Sequence, residues 1–453
     1  MTRRGPLLRR ISQSAVTWAS LVTVVRGLGF LLVMAYALRS LSPNDIGLWY
    51  AMLGIVNVSL MAELGFNTTI GRFVSFYLGG AVHVPALGLR GTESSGGPNM
   101  RAIAGLIRMA RRLYRILGTL TVGLTAGLGL GWLLFHGQTA DLHTTHLLVF
   151  GILAIGSGMN MTVLFWLGML FGMNKVRLHS QLVVVGLLVS YAVTFLCLRV
   201  GLGLYALGVG QILINLVPRL ISRRCVLVAV PATAFEAAHT ISWRAVWPMT
   251  WRAGLLLVGC YLCLQIMTLI CSFVCDLETT ASFGLTLQLA LMLHLFAATW
   301  LATRLPQISA LRSQGNHQAV REIMIRRIPL SMATYVAGAA FLMVAGPIIL
   351  KMVGSNTPLL PPIEMGALLL VVGLNLFVGH HSSVLQTGNE VPHLHMYVTS
   401  GVLTLLLGFA FGRWLGVRGI ILAPFLVQLC GNYWYTPLTC WRRLSLSGTH
   451  EAD

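Results

Sequence analysis

Long apolar stretches recur along almost the whole chain, and they restrict the possible folds more than any other feature. A transmembrane helix needs about 20 mostly apolar residues to cross the hydrocarbon core of a bilayer. Twelve stretches of the 453-residue sequence are long enough: residues 15–38, 47–70, 113–135, 147–171, 178–198, 202–221, 247–274, 281–302, 328–350, 363–385, 394–411 and 417–438. The sequence therefore predicts an all-α polytopic membrane protein with twelve transmembrane helices.

The charge composition supports this class and excludes others. Only 9% of the residues are charged, whereas soluble domains carry about 25%, so a soluble enzyme is excluded. The chain has 31 basic and 12 acidic residues, a formal net charge of +19. On a soluble protein this excess would suggest a nucleic-acid partner. Here the basic residues lie between apolar runs, which is typical of membrane loops, and no nucleic-acid partner is expected.

The distribution of basic residues predicts the orientation in the membrane. Placed on the twelve predicted spans, 25 Lys and Arg residues fall on the side that holds both termini and 5 on the other side. Cytoplasmic loops carry such an excess, so we expect both termini in the cytoplasm of a bacterium, with the protein in its inner membrane. The basic start at residues 1–10 resembles a signal-peptide n-region. The apolar run behind it is too long and lacks a cleavage site, so it counts as the first span.

The two halves of the sequence resemble each other. Arg72 ends the second span and Arg304 follows the eighth, and a basic amphipathic segment comes after each of them. Each half has six predicted spans, and both halves start on the same side of the membrane. This arrangement predicts parallel repeats that are related by a pseudo-twofold axis, with a pathway between the two lobes. The predicted lobes are residues 1–222 and 247–453, joined by a cytoplasmic linker at residues 223–246.

Motifs for enzymatic or metal chemistry are missing from the sequence. It has no phosphate-binding G-x-x-x-x-G-K-[ST] loop, so it carries no P-loop ATPase. Cys260 and Cys263 form a C-x-x-C pair among apolar neighbours, which favours packing over a metal site. The predicted outward loops are short, and their acids, such as Asp45, Asp276 and Glu364, lie near helix ends as caps do. We therefore expect no catalytic residue, no metal and no cofactor, with a membrane polymerase or glycosyltransferase as a less favoured alternative.

Two opposite charges are expected inside the bilayer. Arg26 lies roughly 16 Å into the first span at about 1.5 Å per residue, near the midplane, where an arginine costs at least about 2.5 kcal/mol. Glu63 is the one acid well inside a predicted span. Two interpretations stay open: a structural ion pair between the first two helices, or a cation that binds an anionic substrate with Glu63 releasing it or carrying a proton.

Further candidate residues lie at the predicted cytoplasmic mouth. Arg72, Arg252 and Arg304 lie at the cytoplasmic ends of spans 2, 7 and 8, and each alone fits an ordinary snorkelling arginine. The matched positions of Arg72 and Arg304 indicate a basic vestibule, while Arg219 is a weaker candidate. Several polar residues inside spans could line a wet cavity or join helices by hydrogen bonds: Gln265, Gln288, His294, Asn375, His380 and His381.

A basic amphipathic segment is predicted at residues 99–117. Arg101, Arg108, Arg112 and Arg115 share one helical face there. A helix of this kind lies on the anionic inner leaflet of the membrane. Anionic inner-leaflet lipids are therefore expected partners.

Short motifs carry a family resemblance over almost the whole chain. They are VRGLGF at 25–30, LRSLSPNDIGLW at 38–49, ELGF at 63–66, Arg72, ASFG at 281–284, LPQIS at 305–309, LQTGN at 385–389 and the turn Gly416-x-x-Gly419. With these motifs the sequence resembles bacterial polysaccharide (O-antigen type) flippases of the multidrug/oligosaccharidyl-lipid/polysaccharide exporter superfamily. A glycine- and serine-rich insert at residues 91–98 and the lack of an ion-site motif depart from that pattern.

The resemblance implies a fold and a cargo. It implies twelve helices in two six-helix, MATE-like lobes, alternating access, and a polyprenyl-pyrophosphate-linked oligosaccharide flipped for O-antigen, capsule or exopolysaccharide synthesis. A polysaccharide polymerase and chain-length machinery are the further partners it implies, and coupling to H⁺ or Na⁺ stays open. Such an anionic cargo agrees with Arg26, Arg72, Arg252 and Arg304 as binding residues. An ion-coupled multidrug extruder is the alternative, although cationic drugs would favour more acids than Glu63.

Overall fold

The computed structural model describes residues 15–81, 97–136, 144–236, 241–313, 316–387 and 394–446. The predicted basic start at residues 1–10 and most of the insert at residues 91–98 lie outside them. The described residues form eighteen α-helices: α1 Ala15–Ser40, α2 Pro43–Leu60, α3 Phe66–Leu78, α4 Met100–His136, α5 Thr144–Val163, α6 Phe165–Gly172, α7 Val176–Arg199, α8 Leu204–Ala229, α9 Ala232–Glu236, α10 Trp243–Leu264, α11 Ile266–Val274, α12 Leu277–Ala302, α13 Leu305–Ser313, α14 His317–Val353, α15 Pro362–Gln386, α16 Leu394–Leu415, α17 Val417–Leu429 and α18 Asn432–Leu446. The predicted all-α class is confirmed.

Within this described part, eleven helical segments are long and apolar enough to cross a membrane. They coincide with the first eleven predicted spans to within several residues at most ends. The twelfth prediction, residues 417–438, corresponds to two shorter helices, α17 of 13 residues and α18 of 15 residues. Cys430 and Gly431 separate them, and the Gly431 N–H closes the end of α17 on the Gln428 carbonyl at 3.1 Å.

The two basic amphipathic segments are the first parts of long helices. α4 and α14 both contain 37 residues and run from a basic start into an apolar membrane span. The basic amphipathic segment predicted at residues 99–117 is thus continuous with the third membrane span, and its contact with the inner leaflet stays a prediction. In α4 the arginines are exposed while Ile103, Leu106 and Ile107 are fully buried, because one helical face packs against the protein and the other does not.

The chain divides into two compact units. The first unit comprises Met1–Leu41 and Ile55–Gly254, and the second comprises residues 42–54 and 255–453. The lobe boundaries at residues 222 and 247 stay a prediction. The first turns of α2, at residues 43–54, belong to the second unit, together with the second half of the chain. The first helical residue of α2 is Pro43, a residue that suits this position. Ser42 caps the helix, because its hydroxyl accepts a hydrogen bond from the Asp45 N–H at 3.1 Å.

Each unit has an apolar core where its helices meet. In the first unit, Phe66, Ile70, Tyr114, Phe165 and Met169 belong to one buried cluster. The second unit has a cluster that includes Ile308, Val320, Met324, Val384 and Leu444. Large apolar side chains such as Leu32 and Leu134 are instead more than 70% exposed, as expected of surfaces that face lipid.

Small residues bring α3 close to α6 in the first unit. A Cβ atom on Gly172 would lie 2.2 Å from the Gly71 carbonyl oxygen, so a side chain is excluded there. The Ser75 hydroxyl donates to the Gly172 carbonyl at 2.9 Å. Small residues and hydroxyl hydrogen bonds are the usual means of close helix packing in membranes, and here they hold the helix that carries Arg72.

Candidate functional site

The second membrane segment of the first unit is interrupted at its middle. α2 ends at Leu60, a 3₁₀ turn covers Met61–Glu63, and α3 begins at Phe66. Leu64 and Gly65 join the pieces with φ of 47° and 77°. The left-handed region costs an L-residue such as Leu64 roughly 1–2 kcal/mol. Broken helices inside membranes occur where other groups satisfy the freed backbone.

The carboxylate of Glu63 satisfies the backbone N–H groups that are freed at this break. It accepts hydrogen bonds from the N–H of Gly65 at 2.9 Å and from the N–H of Asn67. These N–H groups are at the start of α3, where a negative charge also interacts favourably with the helix dipole. The Tyr114 hydroxyl of α4 donates to the same carboxylate at 2.6 Å, and Tyr114 is fully buried. Glu63 therefore caps α3 and joins it to α4.

A close backbone contact supports the break from the other side. A Cβ atom on Gly254 of α10 would lie 2.3 Å from the Leu64 carbonyl oxygen, and one on Gly65 would lie 3.1 Å from the Gly254 nitrogen. Both contacts are with backbone, which cannot move aside as a flexible side chain would. The turn at Leu64 and Gly65 is therefore held by Glu63 and by the bare backbone of α10.

We expect Gly65→Ala to destabilise the protein by about 1–3 kcal/mol, because alanine combines a left-handed backbone penalty with this contact. Thermal unfolding of the detergent-solubilised protein measures the effect. Gly123→Ala in α4 is the matched control, since a Cβ atom there meets nothing within 4 Å. Equal melting temperatures for the two variants would contradict this account of the turn.

Arg219 brings a positive charge to the same region. Its Nη1 donates to the Asn160 carbonyl at 3.0 Å and its Nη2 to the Asn215 side-chain oxygen at 3.3 Å. Its Nε is buried without a hydrogen-bond partner among the described residues. Glu63 and Tyr114 are close enough for electrostatic interaction with it. Together, Glu63, Tyr114 and Arg219 form what we call the charged cluster of the first unit.

Arg26, the strongest predicted binding residue, is not part of this cluster. Its side chain is exposed on α1. Its backbone carbonyl accepts a hydrogen bond from the Tyr191 hydroxyl of α7 at 3.0 Å, and Gly29 lies one turn further along under the same tyrosine ring. In the described residues no ion pair joins Arg26 to Glu63, because the Glu63 carboxylate is turned toward α3 and α4.

The other predicted binding arginines are also exposed. Arg72 lies on α3, and Arg252 places its guanidinium 5.4 Å from the Trp251 ring centre. Arg26, Arg72 and Arg252 belong to the first unit, whereas Arg304 belongs to the second. Arg304 follows α12 and donates to the Gln307 side-chain oxygen at 3.2 Å. Their exposure leaves these guanidinium groups available to an anion, and their role in binding stays a prediction.

A histidine and a serine connect three helices of the second unit. The His380 Nε2 of α15 lies 2.7 Å from the Ser331 hydroxyl oxygen of α14, and that hydroxyl donates to the Ala297 carbonyl of α12 at 2.7 Å. The Nδ1 of His294 on α12 is buried without a partner within the described ranges. For His380, the hydrogen-bond interpretation made from the sequence is confirmed.

Sequence reasoning missed Tyr114 and Asn160 and ranked Arg219 too low. Tyr114 is the one tyrosine in a segment otherwise rich in arginine, a signal that points to a buried position on the opposite helical face. Asn160 is a polar residue in an apolar span, which often marks a helix contact. No group of three or more metal-ligating side chains occurs in the part of the chain that the structure describes.

No protein-family model matches the sequence, and no curated protein matches it significantly. Solved structures do match. An inward-facing multidrug resistance MATE family transporter of the MOP superfamily is 14% identical, with a TM-score of 0.66 over 95% of this chain and 100% of that one.

Two other MATE structures match at lower scores. An outward-facing multidrug resistance MATE family transporter is 12% identical, with a TM-score of 0.59 over 99% of this chain and 100% of that one. A MATE in the bent conformation is 12% identical, with a TM-score of 0.56 over the full length of both chains. The chain has the MATE-like fold.

Proposed function

We propose that the protein is a membrane transporter that flips a polyprenyl-pyrophosphate-linked oligosaccharide from the cytoplasmic to the outer leaflet by alternating access. The oligosaccharide would be a repeat unit for O-antigen, capsule or exopolysaccharide synthesis. The MATE-like fold over nearly the full chain supports transport. The short motifs shared with polysaccharide flippases support the cargo.

This proposal depends mainly on one observation: in the first unit the candidate arginines are exposed, whereas the Glu63 carboxylate is already hydrogen-bonded. Arg26, Arg72 and Arg252 are exposed, whereas the carboxylate of Glu63 is occupied by Gly65, Asn67 and Tyr114. A pyrophosphate needs guanidinium groups, which bind phosphate oxygens in a bidentate manner. The free charges therefore suit an anionic cargo.

The alternative functions fit these charges less well. The similar MATE structures include multidrug resistance transporters, and a cationic drug would need an available acid in place of the occupied Glu63. A polymerase or glycosyltransferase would need free acids on the outward side. Two of the outward acids are engaged instead: Asp276 accepts a hydrogen bond from the Thr279 N–H at 2.6 Å, and Glu364 forms an ion pair with Arg418 at 2.8 Å.

The cellular setting belongs to the same proposal. We place the protein in the bacterial inner membrane with both termini in the cytoplasm, on the basis of the distribution of its basic residues. A polysaccharide polymerase with its chain-length machinery would act on the flipped product. Coupling of the movement to a proton or sodium gradient is part of this proposal.

A leaflet assay tests the function directly. The purified protein is placed in vesicles that contain a fluorescent polyprenyl-pyrophosphate oligosaccharide, and a membrane-impermeant quencher then reports the fraction in the outer leaflet. We expect faster exchange between leaflets with protein than without it. A parallel assay follows efflux of a fluorescent cationic dye, and transport of the dye without movement of the lipid-linked sugar would establish the multidrug alternative.

A further inference from the structure

A cationic groove lies between α13 and the start of α14 in the second unit. It encloses a cavity of about 320 Å³. Arg304, Gln307 and Leu311 line one wall, and Glu322, Ile323, Arg326 and Arg327 line the other. The spacing of three to four residues along each wall places these side chains on one helical face. The floor is apolar, because Leu311 and Ile323 pack against the buried cluster of this unit.

The arginines of both walls lie next to the ends of predicted apolar spans. Arg304 follows the apolar helix α12, which ends at Ala302. Arg326 and Arg327 come directly before the apolar part of α14, which was predicted to begin at residue 328. Basic residues next to the ends of spans lie near the lipid headgroups. The groove therefore opens at the depth of lipid phosphates on the predicted cytoplasmic side.

The walls of the groove are fixed by other arginines. Arg312 of α13 donates to the Val384 and Leu385 carbonyls at the end of α15, at 2.8 and 3.2 Å. Arg321 of α14 places its guanidinium 5.8 Å from the Trp441 ring centre. A cation near a helix C-terminus is favourable for the helix dipole. These contacts join α13 to α15 and α14 to α18, so the two helices that form the walls of the groove are held in place.

We infer that this groove binds the phosphate of an anionic membrane lipid. Arg304, Arg326 and Arg327 supply three guanidinium groups, and the carboxylate of Glu322 offsets one of them. Arginine recognises phosphate oxygens with paired N–H donors. The apolar floor suits the first carbons of a lipid chain, which a soluble phosphate lacks.

Two lipids share this chemistry. One is an abundant anionic phospholipid, and the other is the lipid diphosphate of the proposed cargo. The first source is independent of the proposed function, whereas the second rests on it. In either case the groove is a site on the second unit alone.

Lipid binding to the full-length protein in detergent tests the site. Its melting temperature is measured during titration with phosphatidylglycerol, undecaprenyl diphosphate, phosphatidylcholine and inorganic pyrophosphate. We expect the two anionic lipids to stabilise the protein, and the tighter of the two identifies the source. The double variant Arg326→Ala/Arg327→Ala should bind them at least about tenfold more weakly, as expected for the loss of charge-assisted hydrogen bonds.

Two further variants keep the test decisive. Glu322→Gln should tighten binding, because it removes the negative charge from the groove and leaves its arginines in place. Arg442→Ala is the matched control, since Arg442 is an exposed arginine on α18 outside the groove. The site is refuted if the double variant binds as Arg442→Ala does, if Glu322→Gln has no effect, or if phosphatidylcholine or free pyrophosphate stabilises the protein equally. If the wild-type protein binds the anionic lipids in this titration but does not flip the lipid-linked oligosaccharide, the result counts against the proposed function and not against the groove.

Discussion

Arg26→Ala is expected to slow movement of the lipid-linked oligosaccharide at least about tenfold, with no change in the amount of protein in the membrane. Arg26 is exposed on an apolar helix, where a charge costs at least about 2.5 kcal/mol. Loss of a charge-assisted contact with phosphate removes about 1.5–3 kcal/mol, which corresponds to tenfold or more in binding. The leaflet assay gives the rate, and immunoblotting of isolated membranes gives the amount.

Two variants separate a binding role from a general effect of charge. Arg26→Lys should retain part of the activity, because lysine keeps the charge but not the planar fork of donors. Arg199→Ala should behave as the wild type, since Arg199 is an exposed arginine of the first unit on the predicted outward side. The assignment of Arg26 fails if Arg26→Ala moves the cargo at the wild-type rate, or if the protein is lost from the membrane.

Glu63→Gln is expected to abolish the response of transport to a proton or sodium gradient, and to lower the rate at least about tenfold. Glutamine fills the same space and can still accept a hydrogen bond, but it carries neither a proton nor a negative charge. Glutamine keeps one of the two oxygen acceptors, so the cap on α3 is weakened, at a cost of about 1 kcal/mol of stability. Transport is measured in vesicles at several pH values and sodium concentrations.

Tyr114→Phe is the matched control for this experiment. It removes the 2.6 Å hydrogen bond to the carboxylate but keeps the charge of Glu63. We expect a loss of about 1.5–3 kcal/mol in the free energy of unfolding, with the gradient response retained. Wild-type transport by Glu63→Gln at every pH and sodium concentration would exclude Glu63 as the carrier and leave it a structural cap.

Much of the fold follows from the order of apolar and charged residues. Eleven of the predicted spans are found as single membrane-length segments in the described residues. The exception at residues 417–438 is instructive, because α17 ends at Leu429 and α18 begins at Asn432. The stretch also contains Arg418, Gln428 and Asn432, and a mean hydropathy over the window does not show where a helix ends.

The site is less predictable than the fold. Glu63 and Arg26 stood out because charged residues are costly in hydrocarbon, and that reasoning identified unusual residues without identifying their partners. Glu63 is joined instead to Tyr114, 51 residues away in the sequence, and to the backbone that follows it. Arg219 is held by Asn160 and Asn215. The energetic demand for partners is visible in the sequence, but the choice among them is not.

The sequence by itself determined that the chain is a helical membrane protein, where eleven of its membrane-length segments lie, and where charges inside the bilayer need an explanation. The reason is that burial in hydrocarbon is a property of each segment, and it depends on local composition alone. Only the tertiary structure decided that α2 and α3 are broken at Glu63, that Tyr114 and not Arg26 binds its carboxylate, and that Arg304, Arg326 and Arg327 share one groove. Those features arise where distant helices pack, because a hydrogen bond or a close backbone contact depends on the relative position of two segments and not on the composition of either one.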